Sequence, residues 1–156
     1  MEVLREFVDS AGKPVTSIMV GDEVTVRLKF RALGRSFVPS VALIDLMPGG
    51  FEPVLEPVAA PAADGAAPAA GAASTLPGLA GGRSTWQIHH ADVREDRVVF
   101  YGNVSGDFSE LSYRIKATNS GRFVVPPAYA ESMYERGVQA RSAGGQSITV
   151  ETPGKK

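Results

Sequence analysis

Cysteine is absent from the 156 residues. That excludes disulfides, thiolate metal sites and a cysteine nucleophile within the chain, and leaves the compartment open. Neither charge is in surplus: 16 basic and 17 acidic residues give a net charge of −1. A nucleic-acid binder shows a clustered basic face, and a membrane-surface helix shows a basic amphipathic stretch. Neither pattern is present. Histidine is limited to the adjacent pair His89 and His90, too few for the three or four converging ligands a metal site needs. Outside one Ala-rich stretch, no segment carries the apolar period of a long amphipathic helix. The opening "MEVLREFVDSAGKPV" lacks the charged start, apolar run and small-residue cleavage site of a secretory leader. The expectation is either a cytosolic protein or a piece cut from a longer chain.

What is abundant is alternation. In "VGDEVTVRLKF" the apolar Val24, Val26, Leu28 and Phe30 share one face, and Thr25, Arg27, Lys29 and Arg31 share the other. Leu111, Tyr113, Ile115 and Ala117 repeat the pattern against Ser112, Arg114, Lys116 and Thr118. A period of two marks a half-buried strand. Further strands are predicted at 3–8, 38–46, 97–102, 123–125, 128–134, 138–142 and 147–151. "SAGKP" and "MPGG" lie between strands as turns, and "NSG" (119–121) supplies the residue tolerant of positive φ that a tight hairpin needs. "VALIDL" is apolar on both faces, which predicts a central strand covered on two sides. Many short strands with frequent turns predict an all-β antiparallel two-sheet sandwich.

One stretch breaks the pattern. Nineteen of the twenty-four residues from Ala59 to Gly82 are Ala, Gly or Pro. Recurrent prolines interrupt helix, and small side chains bury too little surface to offset ordering entropy. The expectation is one sandwich over residues 1–151 with a flexible insertion at 53–85, and a disordered tail at 152–156. Trp86 is expected half-packed where the insertion rejoins the fold.

Reactive groups do not assemble. His89 and His90 point to opposite faces of a strand, and the hairpin into the strand at Arg97 is the plainer reading. Asp92, Glu95 and Asp96 belong to a charged turn, with no spacing that fixes an acid–base pair. No serine sits in a nucleophile elbow. "NVS" and "GGRS" lack the context that would make them a glycosylation site or a phosphate loop. No catalytic residue, cofactor or metal is therefore expected.

Several phrases taken in order carry a resemblance. "GKPVTSIMVGDEVTVRLKFRAL", "VALIDLMPGGFE", "DVREDRVVFYGNV", "LSYRIKATNSGRFVVPPAYAESMY" and "VQARSAGGQSITV" together resemble the last domain of bacterial alpha-2-macroglobulins. The resemblance covers nearly all of the chain outside the insertion and the "TPGKK" tail. It implies a fibronectin- or immunoglobulin-like fold and a non-catalytic, C-terminal domain of a large protease inhibitor of the periplasm or cell envelope, which can be anchored to the inner membrane. Such parents carry a bait region whose cleavage triggers a rearrangement that traps the protease. The implied partners are other domains of the parent chain, target proteases through the full-length protein, and other envelope proteins. Some relatives carry a thioester in a separate domain and some do not; this chain does not decide between them. Where a thioester exists, the last domain packs against it and keeps water away. An aromatic near the end of the domain suits that role, which makes Tyr134 the first candidate for an interdomain contact and Tyr129 the second. The plainer alternative is two strand tyrosines with hydroxyls at the rim. The insertion is longer than the connection the resemblance implies. A different function is a structural spacer or interaction repeat of a bacterial surface protein, since such repeats share "VGDEVTV" and "LMPGGFE". A small hydrolase is disfavoured, because no nucleophile, base and orienting group come together.

Overall fold

The computed structural model describes residues 1–56, 74–76 and 78–152. These residues hold strands and turns and no helix. The strands are β1 (Glu2–Val8), β2 (Ser17–Met19), β3 (Glu23–Arg31), β4 (Phe37–Leu46), β5 (Phe51–Pro53), β6 (Ser74–Thr75) and β7 (Arg83–Ser84), followed by β8 (Ile88–Val93), β9 (Arg97–Ser105), β10 (Ser109–Ala117), β11 (Gly121–Val124), β12 (Tyr129–Ser132), β13 (Gln139–Arg141) and β14 (Ser147–Glu151). One sheet has the order β1-β3-β10-β7-β6, with β5 also paired to β10; the other has the order β13-β12-β4-β9-β8. Their inner faces share one apolar core.

The alternation seen in the sequence does this work. Val24, Val26, Leu28 and Phe30 of β3 and Leu111, Tyr113, Ile115 and Ala117 of β10 are buried, and β3 pairs with β10 so that Leu28 faces Leu111 and Val26 faces Tyr113. Each such side chain contributes roughly 1.5–3 kcal/mol when fully buried. β4 is central, between β12 and β9, and Val41, Ala42 and Leu43 are buried in succession, as the doubly apolar run predicts.

Three expectations change. A third sheet, β11-β14-β2, joins the two expected ones, and its β14–β2 pair is parallel. "NSG" turns no hairpin: it carries the chain from β10 in the first sheet to β11 in the third, so the positive φ of Gly121 (148°) serves a corner between sheets. Trp86 is fully packed rather than half-packed. It is 4% exposed, its ring meets Phe30 edge-on at 4.7 Å, and its indole N–H donates to the Asn103 carbonyl at 2.6 Å. Gly102 makes room for it, since a Cβ there would lie 2.6 Å from the indole.

The expected insertion at 53–85 falls only partly among the described residues. Residues 57–73, Pro77 and 153–156, where most of the flexible-loop and tail expectations fall, lie outside the described residues. The remainder is built into the fold. Leu76 and Leu79 are buried, and the chain closes into a neck: Leu55 bridges Leu79, the Ala80 N–H donates to Val54 O at 2.8 Å and the Glu56 N–H to Gly78 O at 3.2 Å. Arg114 holds both sides of this neck. Its backbone bonds Ala80 and Val54, and its guanidinium reaches Glu56 at 3.1 Å and Glu23 at 2.9 Å. Two leucines supply the apolar surface that Ala, Gly and Pro lack. Leu79→Ala should accordingly lower stability by about 2–3 kcal/mol in urea unfolding; a loss under about 0.5 kcal/mol would show that this segment adds nothing to the core.

One polar cluster crosses the core. Arg5 of β1 donates to the Asp45 carboxylate of β4, to the Leu46 carbonyl at 3.1 Å and to the Pro126 carbonyl. The Tyr113 hydroxyl of β10 donates to the other Asp45 oxygen at 2.5 Å. The Arg5 and Asp45 side chains are each 2% exposed. Burial pushes the Asp45 carboxyl up, while Arg5 and Tyr113 pull it down. Burial and the Asp45 charge hold the Tyr113 phenol well above its ordinary value, so it stays a donor.

Candidate functional site

The two candidate tyrosines lie on one β-hairpin with different surroundings. Tyr129 opens β12, opposite Ile44 of β4 and Arg141 of β13. Its hydroxyl donates to Glu131 Oε2 at 2.8 Å and lies 2.8 Å from Gln139 Oε1. The Arg141 guanidinium covers its ring at 5.3 Å. The Glu131 hydrogen bond raises its phenol above the ordinary value. Tyr129 is thus engaged within its own domain.

Tyr134 occupies the loop between β12 and β13 and is 79% exposed, the most exposed large apolar side chain among the described residues. Met133 beside it is exposed as well. The loop beneath is firmly built. The Ser132 N–H donates to Val138 O at 2.9 Å and the Val138 N–H to Glu135 O at 2.9 Å; the Glu135 N–H donates to Ser132 Oγ at 3.2 Å. Two bonds tie the loop to its neighbours: the Met133 N–H donates to Ser40 O at 2.8 Å, and Arg35 pairs with Glu135 at 2.8 Å. Leu33 and Phe37, on either side of Arg35, are also exposed. The result is a fixed loop that shows apolar side chains to solvent. Singly scattered exposed apolar residues are ordinary on a protein surface; what sets Tyr134 apart is that its loop is tied at both ends.

The histidines part company, as adjacent strand residues do. His90 stacks on Tyr101 at 5.9 Å. His89 lines a cleft of about 240 Å³ together with Phe37, Trp86, Gln87 and Asn103. That volume falls below the roughly 300–1,000 Å³ of small-molecule sites. Among the described residues no group of three His, Cys, Asp or Glu side chains converges as metal ligands would. Asp92 of β8 is paired with Arg94, and Asp96 with Arg97 of β9, around the turn that links the two strands. The residues that sequence reasoning passed over are Ser40 and Asn103. Their readable signal is Pro39, which has no N–H to give a central strand and so points to a bulge.

The family profile described as the bacterial alpha-2-macroglobulin MG10 domain matches residues 1–136. The chain is 43% identical, over its whole length, to an alpha-2-macroglobulin homolog of Yersinia pestis, and it spans 8% of that relative. Among solved structures it is similar to native Escherichia coli alpha-2-macroglobulin from domain MG7 to the C-terminus, at 26% identity and a TM-score of 0.71, covering 95% of this chain and 23% of that one. It is also similar to trypsin-activated alpha-2-macroglobulin from Escherichia coli, at 25% identity and a TM-score of 0.69, covering 96% of this chain and 10% of that one. The chain therefore belongs to the MG10 domain family of bacterial alpha-2-macroglobulins.

Proposed function

We propose that the chain is the non-catalytic, C-terminal domain of an alpha-2-macroglobulin-type protease inhibitor of the bacterial cell envelope. In this reading the Tyr134 loop is its contact with a neighbouring domain of the same parent. With the family shown, the surface-repeat reading falls away. The observation that carries the proposal is a well-tied loop whose largest side chain, Tyr134, is 79% exposed. A lone domain gains nothing from ordering such a ring in water, whereas a docked one loses less entropy on binding when the loop is already fixed. The small share of each relative that the chain covers supports the presence of neighbours. The description of the Escherichia coli structure, from MG7 to the C-terminus, supports a place in the C-terminal part. The description of another as trypsin-activated supports a role in a protein that responds to proteases. The domain supports the rearrangement and does not cut bonds itself.

The test uses the parent chain. Tyr134→Ala should leave the melting of this 156-residue domain within about 0.5 kcal/mol of its starting value, because the ring is exposed. In the parent it should speed conversion to the activated form without protease by about tenfold, read by native-gel mobility; that is the loss of one aromatic contact of about 1.4 kcal/mol. An unchanged conversion rate would overturn the contact.

A further inference from the structure

Ser40 is the one non-glycine residue with a positive φ (49°) among the described residues. It sits where β4 slips register against β9, between Val38 and Val41. A bulge re-aims the groups around it. Here the Ser40 N–H turns to the Asn103 side-chain oxygen at 3.0 Å, and the Ser40 carbonyl turns outward to accept the Met133 N–H at 2.8 Å. Asn103 is anchored in turn, since its own carbonyl takes the indole N–H of buried Trp86. A continuous path of three hydrogen bonds thus runs from the core to the residue before Tyr134.

The bonds within the loop, from Ser132 to Val138 and from Val138 to Glu135, give the loop its shape. They do not give its angle to the sheet. That comes from the β12–β4 ladder, which reaches Ser132 opposite Val41, from its extension past the bulge at Met133–Ser40, and from the Arg35–Glu135 pair, which is nearly half exposed on both partners and correspondingly weak. Backbone held in a sparsely populated region persists where surrounding contacts over-determine it, and it is concentrated at functional positions. We propose that Ser40 and Asn103 are positioning residues for Tyr134: the bulge and the Asn103 amide fix the angle at which the loop presents its ring to the neighbouring domain. The inference rests on the reading of this loop as a contact face.

Amide exchange on the 156-residue chain tests it without any partner. Asn103→Ala removes the acceptor for the Ser40 N–H, and the Met133 amide should then exchange at least about fivefold faster. The Ser132 and Val138 amides, bonded inside the loop, should keep their rates. Ser40→Gly keeps both backbone groups and tolerates the positive φ, so Met133 should stay protected. Asn103→Thr, which suits a strand and lacks the amide oxygen, gives the same reading if the alanine variant does not fold. A Met133 rate unmoved by the loss of Asn103, or equal acceleration of all three amides, would overturn the proposal. In the parent chain, Asn103→Ala should speed protease-free conversion in the same direction as Tyr134→Ala, and the double variant should match Tyr134→Ala alone. A full additional effect in the double variant would also overturn it. Were Tyr134→Ala silent there, the contact face would fail, while the Met133 rate would still decide the positioning role.

Discussion

Replacing Arg5 with methionine is expected to cost about 3–5 kcal/mol of folding stability. The cost does not come from the lost pair as such. Asp45 would stay buried with only the Tyr113 hydroxyl to face its charge, and two backbone carbonyls, of Leu46 and Pro126, would lose their donor. Removing both charges is different. Arg5→Met with Asp45→Leu leaves no charge stranded, and a buried pair replaced by apolar groups of similar volume is often neutral or stabilising. The double variant should therefore recover most of the loss, within about 1–2 kcal/mol of the starting protein; a double variant as unstable as the single one would show that the carbonyls, not the charge, set the cost.

The same cluster fixes a pH dependence. Burial, the largest influence, raises the Asp45 carboxyl above its ordinary value, against the pull of Arg5 and the Tyr113 hydrogen bond. A raised acid holds its proton more tightly folded than unfolded, so its contribution is fully present below about pH 4 and is lost as pH rises through the folded value. Without Arg5 the main opposing pull is gone and the folded value climbs further. The stability gap between Arg5→Met and the unaltered chain should therefore widen from pH 4 to pH 8, read from urea midpoints. A gap of constant size would mean that Asp45 carries no charge dependent on Arg5.

The second large effect centres on the indole. Trp86→Ala should cost about 3–5 kcal/mol, through a cavity against Phe30 and an unpaired Asn103 carbonyl. Gly102→Ala attacks the same packing from the other side: the new methyl would lie 2.6 Å from the ring and 2.8 Å from the Gln87 carbonyl. About 1–3 kcal/mol is expected there. The two losses should not add, because a shortened residue 86 removes the closer clash. A coupling of at least about 1 kcal/mol in a double-mutant cycle, followed by circular dichroism, is the expected result. Simple additivity would show that the Gln87 carbonyl, and not the ring, is what requires glycine at position 102.

Long strands were the most legible part of the sequence. β3, β4 and β10 run nine to ten residues each, enough for alternation or double-sided burial to be unmistakable. β2, β5 and β7 have two or three residues, too few for any period; β11 and β14 were read as strands, but without β2 the third sheet could not be assembled. Its parallel pairing joins segments far apart in the chain, which no local pattern encodes. The polar cluster left a trace: Arg5 shares strand parity with Val3 and Phe7, and Asp45 interrupts "VALIDLM". Lone charges on inward positions announce a buried partner, but nothing in one sequence says which charge meets which. Tyr134 was readable as a candidate contact only through the resemblance, and not through chemistry. Its setting was less so, because Ser40 bonds through its own N–H and carbonyl, and only Pro39 and the Asn103 side chain leave a trace in the sequence.

The neck at Val54–Glu56 and Gly78–Ala80 has an architectural meaning of its own. The two backbone segments are spaced there as neighbouring strands, about 5 Å apart, and bolted by Arg114. A reporter peptide or a small guest domain spliced into residues 57–73 would meet a doorway already closed, and ring-closure entropy that grows only logarithmically with length would leave the host's folding almost untouched.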